Sequence, residues 1–402
     1  MTPARRPTPR GRRRLTRGSI ALIATSVAIV ATGLLAGFRV DLYDVAPDDP
    51  AARASELTTN DVVGIRTFAP GDDVTVTTDV VYGTQSDGAL LTLDVCSPTP
   101  PRSTSTPDPS DTALDGTARD DTARGGTARG DTADGVAGGS ADAVLPGAGT
   151  DTGTEAEAAM PSDAATSAPE HSLLPAVISV HGGSWARGDK GNSDWRLVCE
   201  WLASEGFVAY SVNYRLVPDA VFPAAIDDLK LAVEWVRDLD NAEEYGIDPN
   251  QIGAFGGSAG GNLVALLGTS GRGALTTDAR IAAVAELSGP VDLRASGLVN
   301  AVDGLTRITR NYLGCTNINR CAQSVDASAS SRLDRSDPPV FIGTSSDEFI
   351  PLSQSTEYAA QLESLGIRTE LVVVPGDLHS IGILDEGMRT RVASFLHAEL
   401  GW

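Results

Sequence analysis

The chain has 402 residues, with 53 acidic against 31 basic side chains and a formal net charge of −22. That balance repels nucleic acid and anionic membrane surfaces, which excludes a DNA- or RNA-binding protein and names no partner of its own. The length allows two domains, but long stretches are unsuited to a core, so a single globular domain with appendages is expected.

The first forty residues carry eight arginines and no acid, and Ile20 to Phe38 is an uncharged, mostly apolar run. Such a run is just long enough to cross a bilayer with its preceding arginines held on the cytoplasmic side. Residues 1–40 therefore read as a basic segment and membrane anchor, with the body of the chain outside the cytoplasmic membrane. A cleaved secretory signal is the alternative, which would make the protein secreted; the run is long for one and no clear A-x-A site follows. Arg13-Arg14-Leu15 is a weak twin-arginine feature. Residues 41–72 read as a polar stalk, and membrane contact is expected through the N-terminal segment only.

The catalytic domain is placed at 73–402, interrupted at 97–171. Val74 to Val81 and Leu90 to Val95 alternate as half-exposed strands, and the turn residues between Gly83 and Gly88 make them a hairpin. From Ser97 the composition collapses to Thr, Ala, Asp, Gly, Ser and Pro, with Thr-Ala recurring at 117, 122, 127 and 132. So few large apolar residues cannot offset the ordering entropy of a backbone, so a disordered insert is predicted. After residue 175, short apolar strands alternate with amphipathic helices. The strands are Ala176 to Val180, Phe207 to Val212, Ile281 to Leu287, Val340 to Ile342 and Leu371 to Val374. One helix opens at Pro223 and carries Ile226, Leu229, Val233 and Val236 on one face; the last carries Met388, Val392, Phe395 and Leu396. Strands without alternation are buried on both faces, which predicts a mostly parallel, mixed sheet between helices.

The chemistry concentrates at strand ends. Gly256-Gly257-Ser258-Ala259-Gly260 follows the run Gln251 to Phe255, and small residues around a serine permit the sharp strand-to-helix turn that exposes its hydroxyl. Ser258 is the candidate nucleophile. Of the four histidines, His171 lies in the insert, His397 lies near the end of the last helix, and His181 belongs to another motif. His379, in the loop after Leu371 to Val374, is left as the general base. The loop after Val340 to Ile342 offers Asp347 as the carboxylate that orients it, with Glu348 and Asp377 as competitors. The order Ser258, Asp347, His379 is that of nucleophile, acid and base. His181-Gly182-Gly183-Ser184-Trp185 follows another strand, and the amides of Gly182, Gly183 and Ala259 are the expected oxyanion donors. His181 is read as a brace for this loop. Trp185 is either a wall of the substrate pocket or plain packing.

Cys315 and Cys321 bracket a short polar segment and suit a loop-stapling disulfide better than a metal site, since no histidine lies near them. Cys96 and Cys199 form a second candidate bond, with burial as two small apolar residues the alternative.

The segments HGGSW, SVNYRL, FPAAIDDL, YGIDPNQI, GGSAGGN, SSDEFIP and PGDLHS resemble the serine esterases of the bifunctional acetylxylan-esterase/feruloyl-esterase-like branch of the α/β-hydrolases, near the hormone-sensitive-lipase-like carboxylesterases. The resemblance spans roughly 74–400 apart from the insert. It implies an α/β-hydrolase fold with a small cap region, placed here at Asp292 to Ser336, and no metal or organic cofactor. It also implies the triad Ser258, Asp347 and His379 with oxyanion donors Gly182, Gly183 and Ala259. Hormone-sensitive-lipase-like members usually show HGGG and an Asp before the serine; Ser184 and Gly257 stand there in this chain. The expected activity is hydrolysis of small-molecule carboxylic esters through an acyl-enzyme. The rival readings are an amide-directed hydrolase of the exopeptidase or arylformamidase kind, and a non-catalytic surface module that kept the fold.

Overall fold

A computed structural model describes residues 63–85, 88–99 and 173–401. The predicted anchor or signal, most of the stalk and nearly all of the insert fall outside these residues. Eight strands form one sheet: β1 (Val74–Thr84), β2 (Leu90–Pro98), β3 (Leu174–Val180), β4 (Val208–Val212), β5 (Ile247–Gly257), β6 (Ala283–Leu287), β7 (Val340–Ser345) and β8 (Thr369–Val374). Their order is β1-β2-β4-β3-β5-β6-β7-β8. The pairs β1/β2 and β2/β4 are antiparallel and all others parallel, so the mixed sheet expected from the apolar runs is present.

The strand pleat explains the two-sided core. Val177, Ala209, Phe255 and Phe341 pack on one face beneath α1 (Ser193–Ser204) and α8 (Glu386–Leu400). Their sequence neighbours Ile178, Tyr210, Ala254 and Ile342 point to the other face, beneath α2 (Ala224–Arg237), α4 (Ala259–Gly268) and α7 (Leu352–Ser364). α4 is buried at all ten of its positions, as its uncharged sequence requires. α1 opens on the Asn192 side chain, which accepts from the Trp195 N–H at 3.1 Å, and turns Trp195, Val198, Cys199 and Leu202 inward. α2 opens after Pro223, as the sequence suggests. The short α3 (Leu239–Tyr245) leads into β5.

The segment between β6 and β7 carries α5 (Asp303–Leu313) and α6 (Gln323–Asp326) and corresponds to the expected cap. The chain steps from β3 outward to β4, then crosses back over β3 to β5, and proceeds the other way through β6, β7 and β8. Loops leaving β3 and β5 therefore part at the carboxyl ends of the parallel strands, where open α/β sheets bind ligands.

Two disulfides tie the fold: Cys96–Cys199 joins β2 to α1, and Cys315–Cys321 closes the loop after α5. Loop-closure entropy favours the first, whose partners are 103 residues apart, over the second at a separation of 6. The double replacement C96A/C199A should lower the unfolding free energy by about 4–5 kcal/mol, and C315A/C321A by only about 2–2.5 kcal/mol. Denaturant midpoints of the two variants check the order.

Candidate active site

Ser258 caps the start of α4 with φ 57° and ψ −120°, a conformation that a non-glycine residue adopts only when its surroundings impose it. The surroundings are backbone. A Cβ on Gly260 would lie 2.0 Å from the Val180 carbonyl oxygen, and one on Gly256 would lie 2.5 Å from the Gly260 carbonyl oxygen. Only glycine lets α4 press this closely on the end of β3, and the turn at Ser258 follows. The Ser258 N–H donates to the Leu287 carbonyl at 2.8 Å, which anchors the turn to β6.

The same closeness brings the loop after β3 to the serine. A Cβ on Gly182 would sit 3.2 Å from the Ser258 Cβ. Gly183, at φ +119°, folds the loop into a turn in which its carbonyl accepts from the N–H groups of Ala186 and Arg187 at 3.1 and 3.2 Å. Among the described residues the N–H groups of Gly182, Gly183 and Ala259 serve no other acceptor. His181 braces this loop from beneath. It stacks on Tyr214 with ring centroids 4.4 Å apart, its Nδ1 lies 2.8 Å from the Gly182 carbonyl oxygen, and burial holds its pKa below the ordinary range.

His379 follows β8 and is hydrogen-bonded through Nδ1 to Glu348 Oε2. This corrects the expectation that Asp347 is the partner. The Asp347 N–H donates to the Gly376 carbonyl at 2.9 Å, continuing the β7–β8 pairing into the turn, and its carboxylate is exposed and accepts from the Ser346 hydroxyl at 2.7 Å. The next side chain points inward instead. The Glu348 side chain is fully buried, and its Oε1 accepts from the Ser288 hydroxyl at 2.6 Å, the Thr344 hydroxyl at 2.8 Å and the Ser345 N–H at 3.0 Å. Burial pushes its pKa up, but the contact with His379 and the hydrogen bonds from Ser288 and Ser345 outweigh that and hold it below the ordinary carboxylate range. Asp377, the other competitor, is exposed.

Ser258 and His379 open onto one cleft of about 570 Å³, whose lining also includes Gly182, Gly183, Arg187 and Phe349. The Ser258 hydroxyl is not hydrogen-bonded to His379. Trp185 is not a wall of this cleft. It is 1% exposed and stacks flat on Tyr312 of α5 at 4.3 Å, so it packs the loop after β3 against α5. The aromatic walls are Trp195, at the start of α1, and Phe349, next in sequence to Glu348; neither was singled out by sequence. Among the described residues no group of His, Cys, Asp or Glu side chains could hold a metal ion.

A second buried carboxyl lies on β6, the strand next to β5. Glu286 of β6 pairs with Gly256, is fully buried, and accepts from the Gly289 N–H at 2.6 Å through Oε2, leaving Oε1 without a partner. Burial raises its pKa from 4.5 to about 8, and the charge of Glu348 pushes the same way.

The BD-FAE family model matches residues 163–362. Arylacetamide deacetylase of Bos taurus is 41% identical over 95 residues, which cover 23% of this chain and 24% of that protein. Esterase LipC of Mycobacterium tuberculosis is 30% identical over 230 residues, covering 54% and 55%. The matches thus span from about a quarter to about half of these relatives' lengths. The crystal structure of esterase B from Lactobacillus Rhamnosis superposes with a TM-score of 0.55 at 18% identity, covering 95% of each chain, and supports the fold.

The position of Glu286 carries a pH prediction. Between about 4.5 and about 8 the folded chain keeps a proton that the unfolded chain releases, so this group makes stability fall as pH rises through that window. Glu286→Gln should flatten that fall, by a few kcal/mol at the alkaline end, in unfolding free energies measured across the window.

Proposed function

Because the chain belongs to the α/β-hydrolase superfamily, among esterases, we propose that it hydrolyses carboxylic esters with Ser258 as nucleophile, His379 as general base and Glu348 as the orienting acid. The observation that carries this reading is the buried, multiply hydrogen-bonded Glu348 carboxylate on His379 Nδ1, in the cleft where Ser258 sits on a strained turn. Ser258 Oγ attacks the ester carbonyl carbon as His379 Nε2 takes the hydroxyl proton. The N–H groups of Gly182, Gly183 and Ala259 hold the developing oxyanion, and Glu348 stabilises the imidazolium. Collapse expels the alcohol, which leaves with the proton from His379. Water, deprotonated by the same imidazole, then releases the acid and restores the serine.

Similarity to an arylacetamide deacetylase makes an amide-directed hydrolase the second reading. Parallel turnover of matched acetate esters and acetanilides separates the two, and a fluorophosphonate probe, which labels only an activated serine, tests the non-catalytic module. The apolar run at 20–38 and the two disulfides support a catalytic domain that works outside the cytoplasmic membrane, held by an anchor or released after cleavage.

Ser258→Ala should lower turnover of p-nitrophenyl acetate by at least ~10³-fold with the fold intact. Glu348→Gln should cost on the order of 10²–10⁴-fold in kcat, and Asp347→Asn about twofold or less. The reverse order in steady-state kinetics would return the acid to residue 347.

A further inference from the structure

We infer that the cleft selects esters that carry a carboxylate near the scissile carbonyl, and that Arg187 receives that carboxylate. This rests on the ester-hydrolase reading of the same cleft and specifies its substrate class. Arg187 lines the cleft with Ser258 and His379. Its stem is held where a charge would matter: its backbone N–H donates to the Gly183 carbonyl at 3.2 Å, and its Cγ would lie 3.2 Å from a Cβ on Gly183. The exposed Arg187 side chain thus leaves the backbone beside a proposed oxyanion donor.

The charges around it leave Arg187 uncompensated. Nearby arginines are spoken for: Arg66 pairs with Asp194, Arg196 with Asp94 and Arg215 with Asp228. Arg187 has no ion-pair or hydrogen-bond partner for its side chain among the described residues. Asp194 is the carboxylate lining the cleft that could neutralise it, and both of its oxygens accept from Arg66 at 2.9 Å. Glu348 is buried beneath His379. Asn192, also in the lining, spends its Oδ1 on the Trp195 N–H and leaves its amide N–H donors open. The one formal side-chain charge in this lining that no other side chain answers is therefore positive, in a chain whose net charge is −22. An uncharged ester leaves that exposed guanidinium to solvent. A carboxylate satisfies it with a charge-assisted, geometrically matched pair.

The test compares kcat/KM for two matched pairs: methyl hydrogen succinate against methyl butyrate, with the carboxylate on the acyl side, and O-acetylglycolate against ethyl acetate, with it on the alcohol side. The wild type should favour the charged member of one pair, with a preference that declines as salt is raised. That preference ratio should drop about tenfold in Arg187→Met and stay intermediate in Arg187→Lys. Equal losses on both members would make Arg187 a general transition-state or structural group and overturn the inference, as would a wild type that rejects both charged esters while hydrolysing the neutral ones. A wild type that hydrolyses none of the four and takes no fluorophosphonate label would bring down the esterase reading together with this one.

Discussion

The site depends on one steric constraint, the near-contact of two backbones where the start of α4 meets the end of β3. With Gly260 against the Val180 carbonyl and Gly256 against the Gly260 carbonyl, no side chain can intervene. The helix is drawn onto the sheet, the residue at its cap is forced to positive φ, and Gly182 comes to rest beside the serine. The strained turn at Ser258 is thus sustained by the packing of an uncharged, fully buried helix, whose burial supplies the stabilisation that the turn consumes.

A second layer of order is electrostatic. Glu348 and Glu286 are both buried near the ends of adjacent strands, yet their environments drive them apart. Glu348 meets an imidazole, two hydroxyls and a backbone N–H, and is held as a carboxylate. Glu286 meets one backbone N–H and keeps its proton through neutral pH. Burial alone would neutralise both, so it is the number of donors that decides which one carries charge. Ser288 links this arrangement to the loop of His379, since its hydroxyl donates to Glu348 while accepting the Ser380 N–H at 2.9 Å.

The strands and the glycine-rich turns were legible because their physics is local. Continuous apolar runs marked buried parallel strands, and HGGSW, GGSAGG and PGDLHS each stood directly after one. Position in a turn was not legible. Asp347 and Glu348 are adjacent, and only the pairing of the Asp347 N–H with Gly376 sends one outward and the next inward. Trp185 likewise depended on a partner, Tyr312, more than a hundred residues away. Arg187 carries no motif at all, because what distinguishes it is that the neighbouring carboxylates are already engaged.

The Cys96–Cys199 bond encloses the whole stretch at 101–171 within its covalent ring. A protease that cut anywhere in that stretch would leave β1 and β2 tethered to the body of the enzyme. The severed pieces would migrate as one species until a reductant opened the ring, so a nick there would be invisible on a non-reducing gel.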